Sequence, residues 1–289
     1  MIYLGRSTAA FRGNVRPSGE PADWVSLVAY HHSMTPADRI LVALLTAYVD
    51  ESGGTSSESK VTCVAAYVFD EDGLATFHQE WAPYLVSKGI PYFHAGKTRR
   101  RSDAVEIFET LRNLIERTAL VGFVRFAKNT ELKLFRAESQ LAPLVGDNDC
   151  FLTLACMDAV ASYAKARGFS VDYFIEHSGN KRLQEYVISF PALPHLKDHF
   201  AALQTGFPMK KETTQLQSAD LLAWSFHRAN ASPHEGDGLL SPSPGFPNFR
   251  EWRAWYQGHN LMGFDRQGLE NIASVLVMNE RMGRAEIGT

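Results

Sequence analysis

Residues 41–50, LVALLTAYVD, form a nearly unbroken apolar run that stops at an acid, Asp50. A run of this length without polar alternation reads as a β-strand buried on both faces. Residues 61–70, VTCVAAYVFD, form a second run of the same kind. The segment between them, Glu51-Ser52-Gly53-Gly54-Thr55-Ser56-Ser57, is rich in turn formers. Two strands joined by a short polar connection predict an antiparallel pair.

Downstream the period changes. Leu74, Phe77, Trp81 and Leu85 recur at helical spacing within 73–88, and Ile107, Phe108, Leu111, Leu114 and Ile115 do so in a helix starting near Ser102, a good N-cap. Strands are predicted over 119–127 and 171–177, and a third ends near Met209. Helices are predicted over 149–167, 181–190 and 215–229. The last opens on Thr214-Gln215-Leu216-Gln217, the T-x-x-Q form of a capping box. Residues 230–249 are rich in Pro, Gly, Ser and Asn and read as a loop, followed by short helices near 248–258 and 267–281. Such alternation predicts an α/β fold, a mixed sheet flanked by helices. Residues 1–33 read as a poorly patterned leader, 34–230 as the α/β domain, and 231–289 as a loop and helical addition packed on that domain.

Composition narrows the function. The formal net charge is -3, so any nucleic-acid contact requires a local basic patch rather than global attraction. Cys63, Cys150 and Cys156 form no C-x-x-C pair, which argues against a disulfide framework or a cysteine zinc site and predicts a reducing, cytoplasmic setting. Neither Cys150 nor Cys156 has a nearby base to make it a nucleophile. No apolar run approaches the roughly 20 residues that span a bilayer, so no membrane partner is expected.

In an α/β sheet, ligands gather beyond the C-terminal ends of the strands, and two predicted strands end alike. One ends Tyr48-Val49-Asp50-Glu51-Ser52-Gly53 and the other Ile175-Glu176-His177-Ser178-Gly179. Side chains alternate along a strand, so Asp50 and Glu51 should face opposite ways. A third acid, Asp220, shares one side of its helix with Gln217, Trp224 and His227. An acid beside apolar surface needs a partner, and a cation is one. Magnesium prefers carboxylate oxygens, water and phosphate, and metal ions held by converging acids can drive a phosphodiester displacement. Each acid also has a plainer reading: Asp50 and Glu51 opening a polar turn, Glu176 ending a strand, Asp220 paired with Arg228 or His227.

Two of these segments also resemble a known family. Tyr48 to Gly53 is similar to a Y-[IV]-D-E-S-G strand end, and Gln217-Ser218-Ala219-Asp220-Leu221-Leu222-Ala223 to a Q-x-A-D-[LI]-[LI]-A helix. Both are hallmarks of uncharacterised family number 3800 among the domains of unknown function. The resemblance covers roughly 45–230 and implies an RNase H-like fold, with a mixed five-stranded sheet and acids at one edge. It implies that Asp50 is the first-strand acid, Asp220 the acid of the last helix and Glu176 the acid between them. Tyr92-Phe93-His94-Ala95 resembles a histidine motif of some members.

Other candidates complete the picture. Lys97, Arg99, Arg100 and Arg101, with Lys210 and Lys211 farther on, could bind phosphates; a solvated loop is the alternative. His195 and His199 have metal-ligand spacing but no H-E-x-x-H. Asp158 reads as part of a polar helix stripe, and Trp252, Trp255 and Tyr256 as packing residues. The combined expectation is a magnesium- or manganese-dependent nuclease acting on nucleic acid. Asp50, Glu176 and Asp220 would be the ligands, and Glu51, His94 and His227 auxiliary groups for ligation, proton transfer or phosphate orientation. The rivals are a non-catalytic nucleic-acid or protein-interaction module and a metal-dependent hydrolase of a small phosphoester.

Overall fold

The computed structural model describes residues 44–52, 60–144, 147–177, 179–192, 200, 202–230 and 259–287, all within one unit, Ala43–Thr289. The leader, the turn at 53–57, His195, His199, Trp252, Trp255, Tyr256 and the helix expected near 248–258 lie outside the described residues.

The elements run β1 (Leu44–Ser52), β2 (Val61–Phe69), α1 (Glu71–Ser87), α2 (Ala95–Thr98), α3 (Ala104–Thr118), β3 (Val121–Lys128), α4 (Asn129–Glu138), α5 (Asn148–Lys165), β4 (Ser170–Ile175), α6 (Lys181–Ala192), β5 (Ala202–Gly206), α7 (Leu216–Asn230), β6 (Asn260–Phe264) and α8 (Arg266–Ile287). The strands form one mixed sheet in the order β5-β4-β1-β2-β3-β6. The first two apolar runs pair antiparallel as their sequence predicts, with Asp50 opposite Ala65. β3 is antiparallel to β2, whereas β4 runs parallel to β1, β5 to β4 and β6 to β3.

Both faces of the sheet are covered, which is why the central strands read as continuous apolar runs. Leu45, Ala47, Val49, Val64, Ala66 and Val68 join α5 residues such as Leu152, Cys156 and Val160 in one core. Alternation turns Tyr48, Asp50, Ala65 and Tyr67 to the other face, where α7 packs on β1 and β2. There a relay of rings runs Tyr48, Phe69, Phe77, Trp81, Phe93, Phe108 and Trp224, with successive centroids 4.6–6.0 Å apart. Edge-on and offset ring pairs of this kind stabilise beyond their buried area, and here they tie α1, α3 and α7 to the sheet.

Local chemistry sets the helix ends. Asp70 caps α1 by accepting the Gly73 N–H at 2.8 Å, with Glu71 and Asp72 in the first turn. α1 ends before Gly89, whose φ of +65° suits the reversal that stops a helix. α3 differs from expectation at its start: it is preceded by Asp103 rather than Ser102, and the Asp103 side chain turns to Arg101 instead of capping.

Three elements were not expected: the single turn α2, and α4 and β6. α4 buries only Leu132 and Phe135, too few apolar positions to set a period. β6 has four exposed residues and one buried, so it carries no alternation to read. β6 adds a sixth strand to the five that the family resemblance implied, and α8 runs longer than the segment expected at 267–281. No described helix is long and apolar enough to cross a membrane.

Candidate functional site

Three expected acids meet at one end of the sheet. Parallel pairing sets Val49 beside Ile175, so Asp50, near the end of β1, and Glu176, just past β4, stand side by side, and the Glu176 N–H donates to the Val49 carbonyl at 3.0 Å. Tyr48 and Phe174, one pleat back on the same face, stack with centroids 5.4 Å apart. Asp220 arrives from the second turn of α7, which the apolar face of Leu216, Ala219, Leu222 and Ala223 seats against the sheet.

The centre of the trio is occupied by Lys210. Its Nζ lies 2.8 Å from Asp50 Oδ2, 3.0 Å from Glu176 Oε2 and 3.0 Å from Asp220 Oδ1. The contact to Asp220 is a hydrogen bond; that to Asp50 is close but outside hydrogen-bonding angles. From sequence, Lys210 with Lys211 could add to a basic patch. Instead its side chain is only 11% exposed and points inward, while neighbouring Lys211 is exposed. The other oxygens of the two buried acids are taken by backbone: Asp50 Oδ1 accepts the Glu51 N–H at 2.9 Å and Asp220 Oδ2 the Ala95 N–H at 2.7 Å.

One ammonium does not balance three carboxylates. Burial pushes Asp50 well above the usual carboxylate range; Lys210 opposes this and Glu176 adds to it. Burial, then repulsion from Asp50, raises Asp220, against Lys210, the Ala95 N–H and His94. For Lys210, burial acts downward, but the three carboxylates overcome it and hold the ammonium above its ordinary value. The donors are hard oxygens of the kind magnesium and manganese prefer, and the excess negative charge fits a divalent cation. Yet among the described residues no group of three His, Cys, Asp or Glu stands ready as a metal cage; Lys210 fills the space that these acids enclose.

Gln217 organises the surroundings. Its Oε1 accepts the Trp81 Nε1–H at 3.0 Å and the Phe93 N–H at 2.9 Å, and its Nε2 donates to the Lys210 carbonyl at 3.1 Å. It therefore does not close the expected capping box, and Thr214 Oγ1 meets the Gln215 side chain instead. The Gln217 and Asp220 positions of one helix thus both hold the Tyr92–Ala95 segment.

The auxiliary residues separate. His94 stands at the rim, 40% exposed, with Nδ1 3.8 Å from Asp220 Oδ2. His227 lies seven residues along α7 from Asp220, about 10 Å by helix rise, and burial, then Arg228, lowers its basicity. Glu51 turns to the opposite face, as strand alternation requires. Burial, then Asp149, Asp50 and Asp147, pushes it up to about 8. Asp149 is itself raised to about 6 by burial and Asp147; Asp147 caps α5 through the Cys150 N–H and accepts from Asn180.

The basic run is partly committed. Lys97 donates to the Tyr92 hydroxyl at 2.7 Å, and Arg101 pairs with Asp103 at 2.8 Å and donates to the Lys88 carbonyl. Arg99 is half-buried and Arg100 exposed. Asp158 is exposed on α5. The three cysteines are buried, and burial pushes the Cys150 and Cys156 thiols up to about 12, which makes them inert.

Sequence reasoning missed the roles of Lys210 and Gln217 and the repulsion of Glu51 by Asp149. A lysine doublet before a helix reads as surface, and no local period marks the inward member. No protein-family model matches the chain, and comparison with curated proteins finds no relative of it.

Proposed function

We propose that the chain is an RNase H-like, metal-dependent nuclease that hydrolyses nucleic-acid phosphodiesters at Asp50, Glu176 and Asp220. The observation that carries this reading is the meeting of three carboxylates from β1, the end of β4 and α7 around a single cationic position. A mixed sheet with acids at the ends of adjacent strands also agrees with what the resemblance to family number 3800 implies, β6 being an addition.

Asp50, Glu176 and Asp220 would hold magnesium or manganese, which supplies Lewis-acid stabilisation and water activation when bound. His94, beside Asp220 at the rim, would move a proton or orient a phosphate. Arg99, Arg100, Lys97 and Lys211 would hold the nucleic-acid backbone; Arg101 contributes less because Asp103 already compensates it. Glu51 and His227 stand apart from the trio and take no step in this reading. A cytoplasmic location goes with it.

One observation favours a second reading. A lysine that already pairs with all three acids would suit a non-catalytic interaction module in which the cluster is only structural.

The experiment is a cleavage assay over DNA and RNA substrates with manganese, magnesium or chelator, beside a binding assay. Asp50→Asn and Asp220→Asn keep side-chain size and remove a charged ligand. Each should lower the cleavage rate more than about 100-fold, which requires only about 2.7 kcal/mol of transition-state stabilisation. Nucleic-acid binding in chelator should stay the same or rise as repulsion falls. Wild-type protein that binds but never cuts, with both variants indistinguishable from it, would establish the interaction module instead.

A further inference from the structure

Lys210 is a buried charged group for which phosphodiester hydrolysis by three acids has no stated use. Its ammonium takes one oxygen from each of Asp50, Glu176 and Asp220. The remaining oxygens of Asp50 and Asp220 are bound to backbone N–H groups at 2.9 and 2.7 Å. The oxygens of Asp50 and Asp220 that carry no backbone hydrogen bond, the ones a divalent cation would need, are therefore those that the Lys210 ammonium faces. Magnesium sits about 2.0–2.1 Å from its oxygens, so the ion and Nζ cannot share the same three, and their like charges repel.

The backbone that carries Lys210 is anchored. Its carbonyl accepts from Gln217, and the Met209 carbonyl accepts the Glu212 and Thr213 N–H groups at 2.9 and 3.1 Å. The side chain is a flexible four-carbon stem, so it can leave the acids without the turn unfolding.

We propose that Lys210 is a built-in counter-ion that competes with a divalent cation for Asp50, Glu176 and Asp220, so that metal loads only as the lysine swings out. This rests on the metal-site reading above. In the metal-free protein the lysine limits repulsion among three acids, two of them buried. The same contacts weaken the affinity for metal, because loading must first break three ion pairs.

The test uses the full chain. Manganese affinity is measured by calorimetry for wild type and for Lys210→Met, which keeps the stem and removes the charge. In parallel, amine acetylation of wild-type Lys210 is followed by mass spectrometry in chelator and in manganese, with exposed Lys211 as reference. The expected results are manganese binding at least about 10-fold tighter in Lys210→Met, and a rise in Lys210 labelling on manganese addition while Lys211 stays constant. If manganese binds wild type but Lys210 stays protected, or the variant binds no tighter, the competition is overturned and the metal site stands. If manganese binds neither protein, both the competition and the metal-site reading fall. Should Lys210→Met not fold, the wild-type labelling decides alone.

Discussion

Gln217 joins three parts of the chain with one amide: the α1 tryptophan, the backbone at Phe93 and the carbonyl of Lys210. Gln217→Ala would leave two buried donors and one carbonyl without this partner. Each such orphan costs about 1–3 kcal/mol, so the variant should lose at least about 3 kcal/mol of unfolding free energy in urea denaturation. A loss under about 1 kcal/mol would show that water or a neighbour replaces the amide. The sequence marked Gln217 for attention but for the wrong reason, because T-x-x-Q describes both a capping box and this arrangement. Asp50 and Glu51 were legible more fully: two adjacent acids on a strand must face opposite ways, and one joins the Lys210 cluster while the other turns toward Asp149.

At the scale of elements, α1 meets the end of α3 at Gly73. A Cβ there would overlap the Thr118 carbonyl oxygen and crowd its carbon at 3.2 Å. Both belong to backbone, so no rotamer change relieves the clash. Helix propensity alone would favour Ala over Gly by about 1 kcal/mol, but overpacking costs about 1–3 kcal/mol and should win. Gly73→Ala should therefore lower the urea midpoint; a raised midpoint would mean that α1 can slide away from α3 freely. The faces of α1 and α3 were readable because buried residues recur every three or four positions. α4 and β6 were not, because each is positioned by neighbours rather than by a face of its own.

For the whole molecule, the acids near Glu51 shape stability against pH. Asp149 is raised from 3.8 to about 6 in the fold, so the folded state binds more protons than the unfolded chain across that interval. Its stabilising contribution is complete below 3.8 and is lost as pH rises through about 6. Glu51 extends the same trend from 4.5 to about 8. Asp149→Asn should flatten the lower part of the decline in unfolding free energy and leave the protein more stable than wild type above pH 6, by at most about 3 kcal/mol. Parallel pH profiles for the two proteins in urea unfolding would remove Asp149 as the cause.

The α/β alternation, the antiparallel β1–β2 pair and the acids Asp50, Glu176 and Asp220, as groups ending or flanking apolar segments, were readable without the fold. These follow from periodicity and burial, which are written locally along the chain. That the three acids share Lys210, that Gln217 ties Phe93 to the Lys210 turn and that β6 extends the sheet beyond β3 came from the packed fold. Such contacts join residues up to 160 positions apart, as Lys210 and Asp50 are. They depend on how helices seat on the sheet and on which way a long side chain turns. No local pattern encodes that choice, because an inward and an outward lysine have the same neighbours in sequence and differ only in what the fold brings near.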